Sequence, residues 1–314
     1  MSAAGVKVES RTESVSIATG AITLSALQSR AARSPPRGLI LALHGGGYSS
    51  AYWDCPIGDG LSLLELGASL GYSVLAPDRP GYGASHGHDA SSLGLASQAE
   101  ILFDVIDTWC ATNEFDGPVF VIGHSIGAIL ALRMAAHPRG ARLGAVDVLG
   151  APLRFPASAE GAEVSALPVF GDYVPAGAAA GHNHLVFGPP TTHDEDIYSF
   201  DLACRRPMPV AEYRDALAMP ASWDKMLPSI RIPVRFTLAE FEVMQVTGWA
   251  ALNEARDMLS SSVDVEVHLQ KYTGHNASLH RIGRAYHLRA IAFFEQRLAV
   301  GGDLSWSSSR AERP

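Results

Sequence analysis

The sequence predicts an α/β fold with a doubly wound, mostly parallel sheet. Several short, mostly apolar runs are typical of parallel strands that are covered on both faces. Stretches with helical spacing separate these runs, and such alternation places helices on both faces of one sheet. The chain has 314 residues, of which 47% are hydrophobic, so a large core is possible.

The predicted strands fall into two groups. Residues 14–29 alternate polar and apolar side chains, which predicts half-buried antiparallel strands at a sheet edge. The apolar strands are predicted at 39–43, 74–76, 119–122 and 146–149, and strand patterns return at 233–238 and 263–269. Helical spacing is clearest at 99–110 and 288–298. The helix after 119–122 should end at His137-Pro138, because proline cannot continue a helix.

The alternation stops between Pro152 and about residue 221, where Gly, Ala and Pro are frequent. A structureless loop of that length is improbable inside a compact domain. We therefore predict a small helical lid at residues 153–221, inserted before the penultimate strand. Residues 1–152 and 222–300 would form the core domain, and the polar residues 301–314 a disordered tail.

Composition narrows the possible partners and the compartment. The chain has 24 Lys+Arg against 32 Asp+Glu, and its basic residues are scattered, which argues against a nucleic-acid partner. No apolar run reaches bilayer length, and the first twenty residues lack the apolar core of a signal peptide. Three cysteines are too few for a disulfide framework. We expect a cytoplasmic protein with a small-molecule substrate and no membrane partner; the oligomeric state stays open.

A candidate nucleophile lies in Gly123-His124-Ser125-Ile126-Gly127, directly between an apolar strand and a helix. A strand-to-helix turn tight enough to expose a serine needs small residues two positions to either side. At the helix N-terminus, backbone amides and the dipole favour negative charge that develops on the serine. This context argues against a chance match in a glycine-rich chain.

A glycine-rich loop, His44-Gly45-Gly46-Gly47, follows the first apolar strand. An amide from this loop and the amide of Ile126 would hold the oxyanion of a tetrahedral intermediate. A phosphate loop is the alternative, but neither Gly-x-Gly-x-x-Gly nor a Gly-Lys-Ser/Thr end is present. His44 itself is predicted to be structural and bonded to loop backbone.

His275 is the candidate general base, since it lies between the last strand and the last helix, as the chain order Ser, acid, His requires. His280 and His287 are predicted to lie on the final helix in structural roles. Zinc is the alternative use of the other histidines, yet no carboxylate or cysteine partners recur near them at a ligand spacing. They are His86, His88, His182, His184 and His193. We expect no metal and no cofactor.

These motifs, together with the segment 78–85 (Asp-Arg-Pro-Gly-Tyr-Gly-Ala-Ser), resemble the successive signatures of the α/β-hydrolase superfamily and appear in its order over residues 14–298. The resemblance implies an α/β-hydrolase fold with a lid, and a serine hydrolase that forms an acyl-enzyme. It also implies that the Gly46 and Ile126 amides form the oxyanion hole. Serine at position 125, where aspartate would be needed, disfavours the haloalkane dehalogenase and epoxide hydrolase branches.

Two carboxylates, Glu240 and Glu242, are candidates for the acid that orients His275. Both follow the strand predicted at 233–238, and alternation does not separate them, because residues two apart point to the same side. The resemblance favours Glu242, since the second acid of Ala239-Glu240-Phe241-Glu242 matches the family's triad member. Most relatives have Asp there, so the longer Glu side chain should be set further back.

The lid's abundance of Ala, Gly, Val, Phe and Tyr favours an uncharged or partly apolar acyl group, and hence an ester or thioester of small to medium size. Tyr173 and Phe200 are the candidate substrate-binding residues, with core packing as their alternative role. A carbon–carbon bond hydrolase of the β-diketone type is the nearest rival, because the three-glycine loop also resembles that branch. A non-catalytic ligand-binding protein with the same fold is disfavoured by the complete set of nucleophile, base and oxyanion loop.

Overall fold

A computed structural model of the protein describes residues 12–20, 22–58, 60–179 and 181–300. One eight-stranded sheet forms its centre, in the order β1-β2-β4-β3-β5-β6-β7-β8. The strands are β1 (Thr12–Ala18), β2 (Thr23–Ser29), β3 (Leu39–Leu43), β4 (Ser73–Pro77), β5 (Val119–His124), β6 (Leu143–Leu149), β7 (Val234–Ala239) and β8 (Val265–Gln270). The β1–β2 and β2–β4 pairs are antiparallel and the other pairs are parallel, which confirms the predicted fold class.

Helices cover both faces of this sheet. Those of the core are α1 (Leu63–Ser69), α2 (Leu95–Thr112), α3 (Ile126–Ala136), α9 (Trp249–Met258) and α10 (Gly283–Val300). In β3, Leu39 and Leu41 pack in the apolar layer under α2, α3 and α9, while Ile40 packs in the layer under α1 and α10. Successive strand residues point to opposite faces. The fully apolar β3 sequence is therefore the result of burial on both sides.

The chain between β6 and β7 forms a series of short helices. They are α4 (Ala159–Ser165), α5 (His182–Val186), α6 (Ile197–Cys204), α7 (Val210–Ala218) and α8 (Trp223–Met226). A two-residue antiparallel ladder joins Tyr173–Val174 to Met208–Pro209. We refer to residues 153–221 as the lid segment; helical structure continues beyond it into α8 before β7 begins.

The final helix begins later than the sequence predicts. His287 lies on α10, but His280 precedes it, after a short turn at Ala277–Leu279. The His280 ring explains this arrangement, since Nδ1 donates to the Asn276 carbonyl while Nε2 accepts from the Gly188 and Gly274 amides. These bonds hold a loop where the sequence pattern predicts helix.

Two further predictions concern the C-terminal tail and membrane-spanning segments. The tail predicted at 301–314 lies outside the described residues. Among the helices that the structure describes, none combines the length and the apolar character that crossing a bilayer requires.

Candidate active site

Ser125 occupies the turn between β5 and α3 in a strained conformation, with φ 56° and ψ −119°. A positive φ is uncommon for a residue with a side chain and persists only where the surroundings impose it. The Ser125 amide donates to the Leu149 carbonyl at 2.8 Å, which ties the turn to the end of β6. The serine is thereby held at the N-terminus of α3.

The two glycines that flank this turn are required by close backbone contacts. A Cβ atom at Gly123 would lie 2.4 Å from the Gly127 carbonyl oxygen. One at Gly127 would lie 2.3 Å from the Leu43 carbonyl oxygen. Backbone atoms cannot move aside as a flexible side chain can, so the Gly-x-Ser-x-Gly spacing follows from the packing of α3 against β3 and β5.

The glycine-rich loop at residues 44–47 lies against the first turn of α3. It is called the oxyanion loop below, after the role that the sequence predicts for it. A Cβ atom at Gly46 would be 2.5 Å from Ile126 Cδ1. The Ile126 amide opens α3 and so lacks an intrahelical acceptor. The Gly46 amide donates to no other residue within the described ranges. The structure thus brings together the two residues whose amides were predicted to hold an oxyanion.

His44 is structural, as predicted. Its Nδ1 bonds the Gly45 carbonyl at 2.8 Å and its Nε2 accepts from the Arg79 amide at 3.1 Å. Burial, and then the charge of Arg79, keep the pKa of His44 well below its ordinary value. The ring is therefore neutral, with its proton on Nδ1.

His275 and Glu242 are in direct contact. His275 Nδ1 donates to Glu242 Oε2 at 2.6 Å, and both side chains are buried. The Val243 and Met244 amides donate to Glu242 Oε1, and Gln245 Nε2 donates to Oε2, each at 3.0 Å. Burial raises the pKa of Glu242, but the charge and hydrogen bond of His275 and the other donors outweigh it, so that the pKa lies below its ordinary value.

Glu240 has different partners. Its carboxylate accepts from Lys271 Nζ and from the Tyr272 amide, each at 2.8 Å. These bonds lower the pKa of Glu240. Of the two candidate carboxylates, Glu242 is therefore the one that contacts the His275 imidazole. Glu240 is partly exposed and bonds residues that follow β8.

His124 and Gln245 support this arrangement, and sequence reasoning did not single them out. His124 Nε2 donates to the His275 carbonyl at 3.0 Å, and its ring stacks on Tyr52 with centroids 4.7 Å apart. Gln245 fixes Glu242 as described. His124 stands next to Ser125 in the sequence, but nothing in the pattern indicates a contact 151 residues away.

A cavity of about 160 Å³ lies between the core and the lid segment. Ser125 and His275 line it together, and His275 Nε2 is buried without a hydrogen-bond partner among the described residues. Most of the wall is apolar. It includes Ile126, Ile129, Phe155, Leu167, Met208 and Leu217.

The two aromatic residues predicted to bind substrate lie elsewhere. The Tyr173 hydroxyl accepts from the Gly87 amide at 2.7 Å, and its ring packs on His86. Phe200 packs against the apolar layer under α1 and α10. Among the described lid-segment residues, the Phe and Tyr side chains on the cavity wall are instead Phe155 and Tyr213, and the His182 imidazole lines it as well. Composition identified an aromatic segment, but the packing of its short helices determines which rings face the cavity.

The described part of the chain contains no cluster of three or more His, Cys, Asp or Glu side chains that could hold a metal ion. Two of the five histidines that are alternatives for a zinc site make partly buried hydrogen bonds to other side chains. His182 bonds Asp201 at 3.0 Å, and His193 bonds the Tyr198 hydroxyl at 2.7 Å.

Three features define the class of protein: the sheet order, the strained turn at Ser125, and the loop between β8 and α10 that carries His275. The chain belongs to the alpha/beta hydrolase family, whose family model matches residues 40–300.

Particular relatives share parts of the chain. It is 26% identical to human monoglyceride lipase over 200 residues, which are 63% of each protein. It is 29% identical to the phospholipase YtpA of Bacillus subtilis over 120 residues, which are 37% of this chain and 41% of that protein. The matches thus cover less than two thirds of these relatives. A carboxyl esterase from Bacillus coagulans shares the fold, with a TM-score of 0.63, 16% identity and coverage of 93% of this chain and 99% of the esterase.

Proposed function

We propose that this protein is a serine hydrolase that cleaves an ester or thioester of a small to medium, partly apolar acyl substrate. Ser125 is the nucleophile, His275 the general base, and Glu242 the acid that orients His275. The observation that carries the proposal is the position of His275, bonded through Nδ1 to Glu242 while it shares an apolar cavity with Ser125.

The mechanism is acyl transfer. His275 Nε2 takes the Ser125 proton as Oγ attacks the carbonyl carbon, and the Gly46 and Ile126 amides stabilise the oxyanion. The protonated imidazole then gives its proton to the leaving alcohol or thiol as the acyl-enzyme forms. A water molecule, deprotonated by His275, releases the acid and restores Ser125. The Glu242 carboxylate keeps the Nδ1 proton in place and compensates the imidazolium charge.

The cavity supports the choice of acyl group. Its wall is mostly apolar and the lid segment supplies much of it, so desolvation favours an uncharged, partly apolar chain. The names of the monoglyceride lipase and the phospholipase also support an ester substrate. The lid segment would then act as a lid that selects the acyl chain of the substrate.

The first test is covalent labelling. A fluorophosphonate probe should label the folded protein, and Ser125→Ala should abolish the label. A protein that stays unlabelled while folded would contradict the proposal and favour a ligand-binding role.

The second test is a steady-state screen of matched acyl esters, thioesters and β-diketones. We expect kcat/KM to be highest for an uncharged ester or thioester. Turnover of β-diketones alone would replace the proposal by carbon–carbon bond hydrolysis.

A further inference from the structure

We infer that Glu212, on α7 of the lid segment, is a positioning residue that aims the Gly46 amide at the oxyanion. The oxyanion loop would then have its active geometry only while the lid segment is docked. This inference rests on the proposed function, because the oxyanion role of Gly46 belongs to it.

Glu212 forms a fully buried ion pair with Arg79, and both side chains have no exposed surface. The pair is bidentate, with Arg79 Nη1 at 2.9 Å from Oε2 and Nη2 at 3.0 Å from Oε1. Gln98 Nε2 and the Tyr82 hydroxyl each donate to the same carboxylate at 2.6 Å. Such a charge is tolerated in a core only when its partners are complete, and removal of one partner leaves the other uncompensated.

Arg79 in turn holds the oxyanion loop. Its Nε donates to the His44 carbonyl at 2.9 Å and its Nη2 to the Gly45 carbonyl at 3.2 Å. The Gly45 carbonyl and the Gly46 N–H belong to one planar trans peptide, so they point in opposite directions. Arg79 shares the Gly45 oxygen with His44 Nδ1, which bonds it at 2.8 Å, and Arg79 also bonds His44 itself. Together the two side chains therefore fix the direction in which the Gly46 amide donates.

A second connection reaches the next residue of the loop. The Gly47 amide donates to the Tyr82 hydroxyl at 3.0 Å, and that hydroxyl donates to Glu212. On its other side, the Gly47 carbonyl accepts from the Arg206 amide of the lid segment at 2.7 Å. Gly47 has a φ of 74°, in the left-handed region that favours glycine. The lid segment thus contacts the Gly47 carbonyl directly and reaches the Gly47 amide through the Tyr82 hydroxyl.

The same helix supplies a matched control. Asp215 is also on α7, and its carboxylate accepts from the Leu95 amide at the start of α2 at 2.7 Å. It is therefore a second contact between lid segment and core, but among the described residues it makes no hydrogen bond to the oxyanion loop. Glu212→Gln and Asp215→Asn each remove one negative charge and keep the size of the side chain.

The experiment compares both variants with the wild type on the best ester of the screen. We expect Glu212→Gln to lower kcat by roughly 10- to 100-fold with little change in KM. This is less than the roughly 100- to 1000-fold cost of removing an oxyanion donor, because the Gly46 amide is still present and only its direction is disturbed. Affinity for a trifluoromethyl ketone, which forms a tetrahedral oxyanion on a serine, should fall by the same factor. Asp215→Asn should stay within about threefold on both measures, because it leaves the loop in place.

A third variant, Tyr82→Phe, covers the case in which Glu212→Gln does not fold. It keeps the Arg79–Glu212 pair but removes the acceptor of the Gly47 amide. We expect kcat and trifluoromethyl ketone affinity to fall together here as well.

The inference is overturned if Glu212→Gln, or Tyr82→Phe in its place, loses no more of either quantity than Asp215→Asn. A fall in melting temperature alone, with kcat and inhibitor affinity unchanged, overturns it too. A wild type that cleaves no ester or thioester would instead refute the proposed function, and the two failures are therefore distinguishable.

Discussion

Glu242→Gln is expected to lower kcat by roughly two to four orders of magnitude while the fold is kept. The carboxylate accepts the proton of His275 Nδ1 at 2.6 Å. A glutamine nitrogen at that place would donate to Nδ1 and favour the tautomer with its proton on Nε2. That tautomer cannot take the Ser125 proton. The substitution also removes the charge that compensates the imidazolium.

Glu240→Gln is the matched comparison. Glu240 lies two residues away and has a partly exposed side chain that bonds Lys271 and the Tyr272 amide. Ion pairs of this kind contribute about 0–1 kcal/mol to stability, and the Glu240 carboxylate does not bond His275. We therefore expect kcat within about threefold of the wild type. The measurement is kcat and KM for both variants on one ester, with circular dichroism as the control for folding. A larger loss at Glu240 than at Glu242, or a Glu242→Gln enzyme within about tenfold of the wild type, would refute the assignment.

Three further outcomes are expected. Ser125→Ala should keep the melting temperature and retain less than about a hundredth of wild-type turnover; more residual activity would exclude Ser125 as nucleophile. Gly127→Ala should destabilise the fold by about 1–3 kcal/mol in urea unfolding, because its Cβ atom would lie 2.3 Å from a backbone oxygen; an unchanged midpoint would contradict the close contact. Burial lowers the pKa of His280 to about 4, so its neutral ring stabilises the fold fully above about pH 6.5 and progressively less as the pH falls towards 4. The stability advantage of the wild type over His280→Gln should therefore shrink between pH 7 and pH 4, and a constant difference would show that His280 is not held neutral.

The strands, the turn at Ser125 and the place of His275 between the last strand and the last helix could be predicted from the sequence. Each of these features has a local physical cause. The β3 strand, which is covered on both faces, is apolar throughout, and the turn at Ser125 has no room for side chains at Gly123 and Gly127. When the physical cause involves only neighbouring residues, it produces a pattern in a short stretch of sequence, and that pattern predicts the feature without knowledge of the fold.

Which side chains come into contact could not be predicted from the sequence and depends on the folded arrangement. Glu240 and Glu242 are equivalent in a strand pattern, and their partners distinguish them. Tyr173 and Tyr213 have the same side chain and both lie in the lid segment, but of the two only Tyr213 lines the cavity. Glu212 lies 133 residues from Arg79, and no periodicity connects the two. Contacts between residues far apart in the chain depend on how whole elements pack, and that information is not present in any single segment.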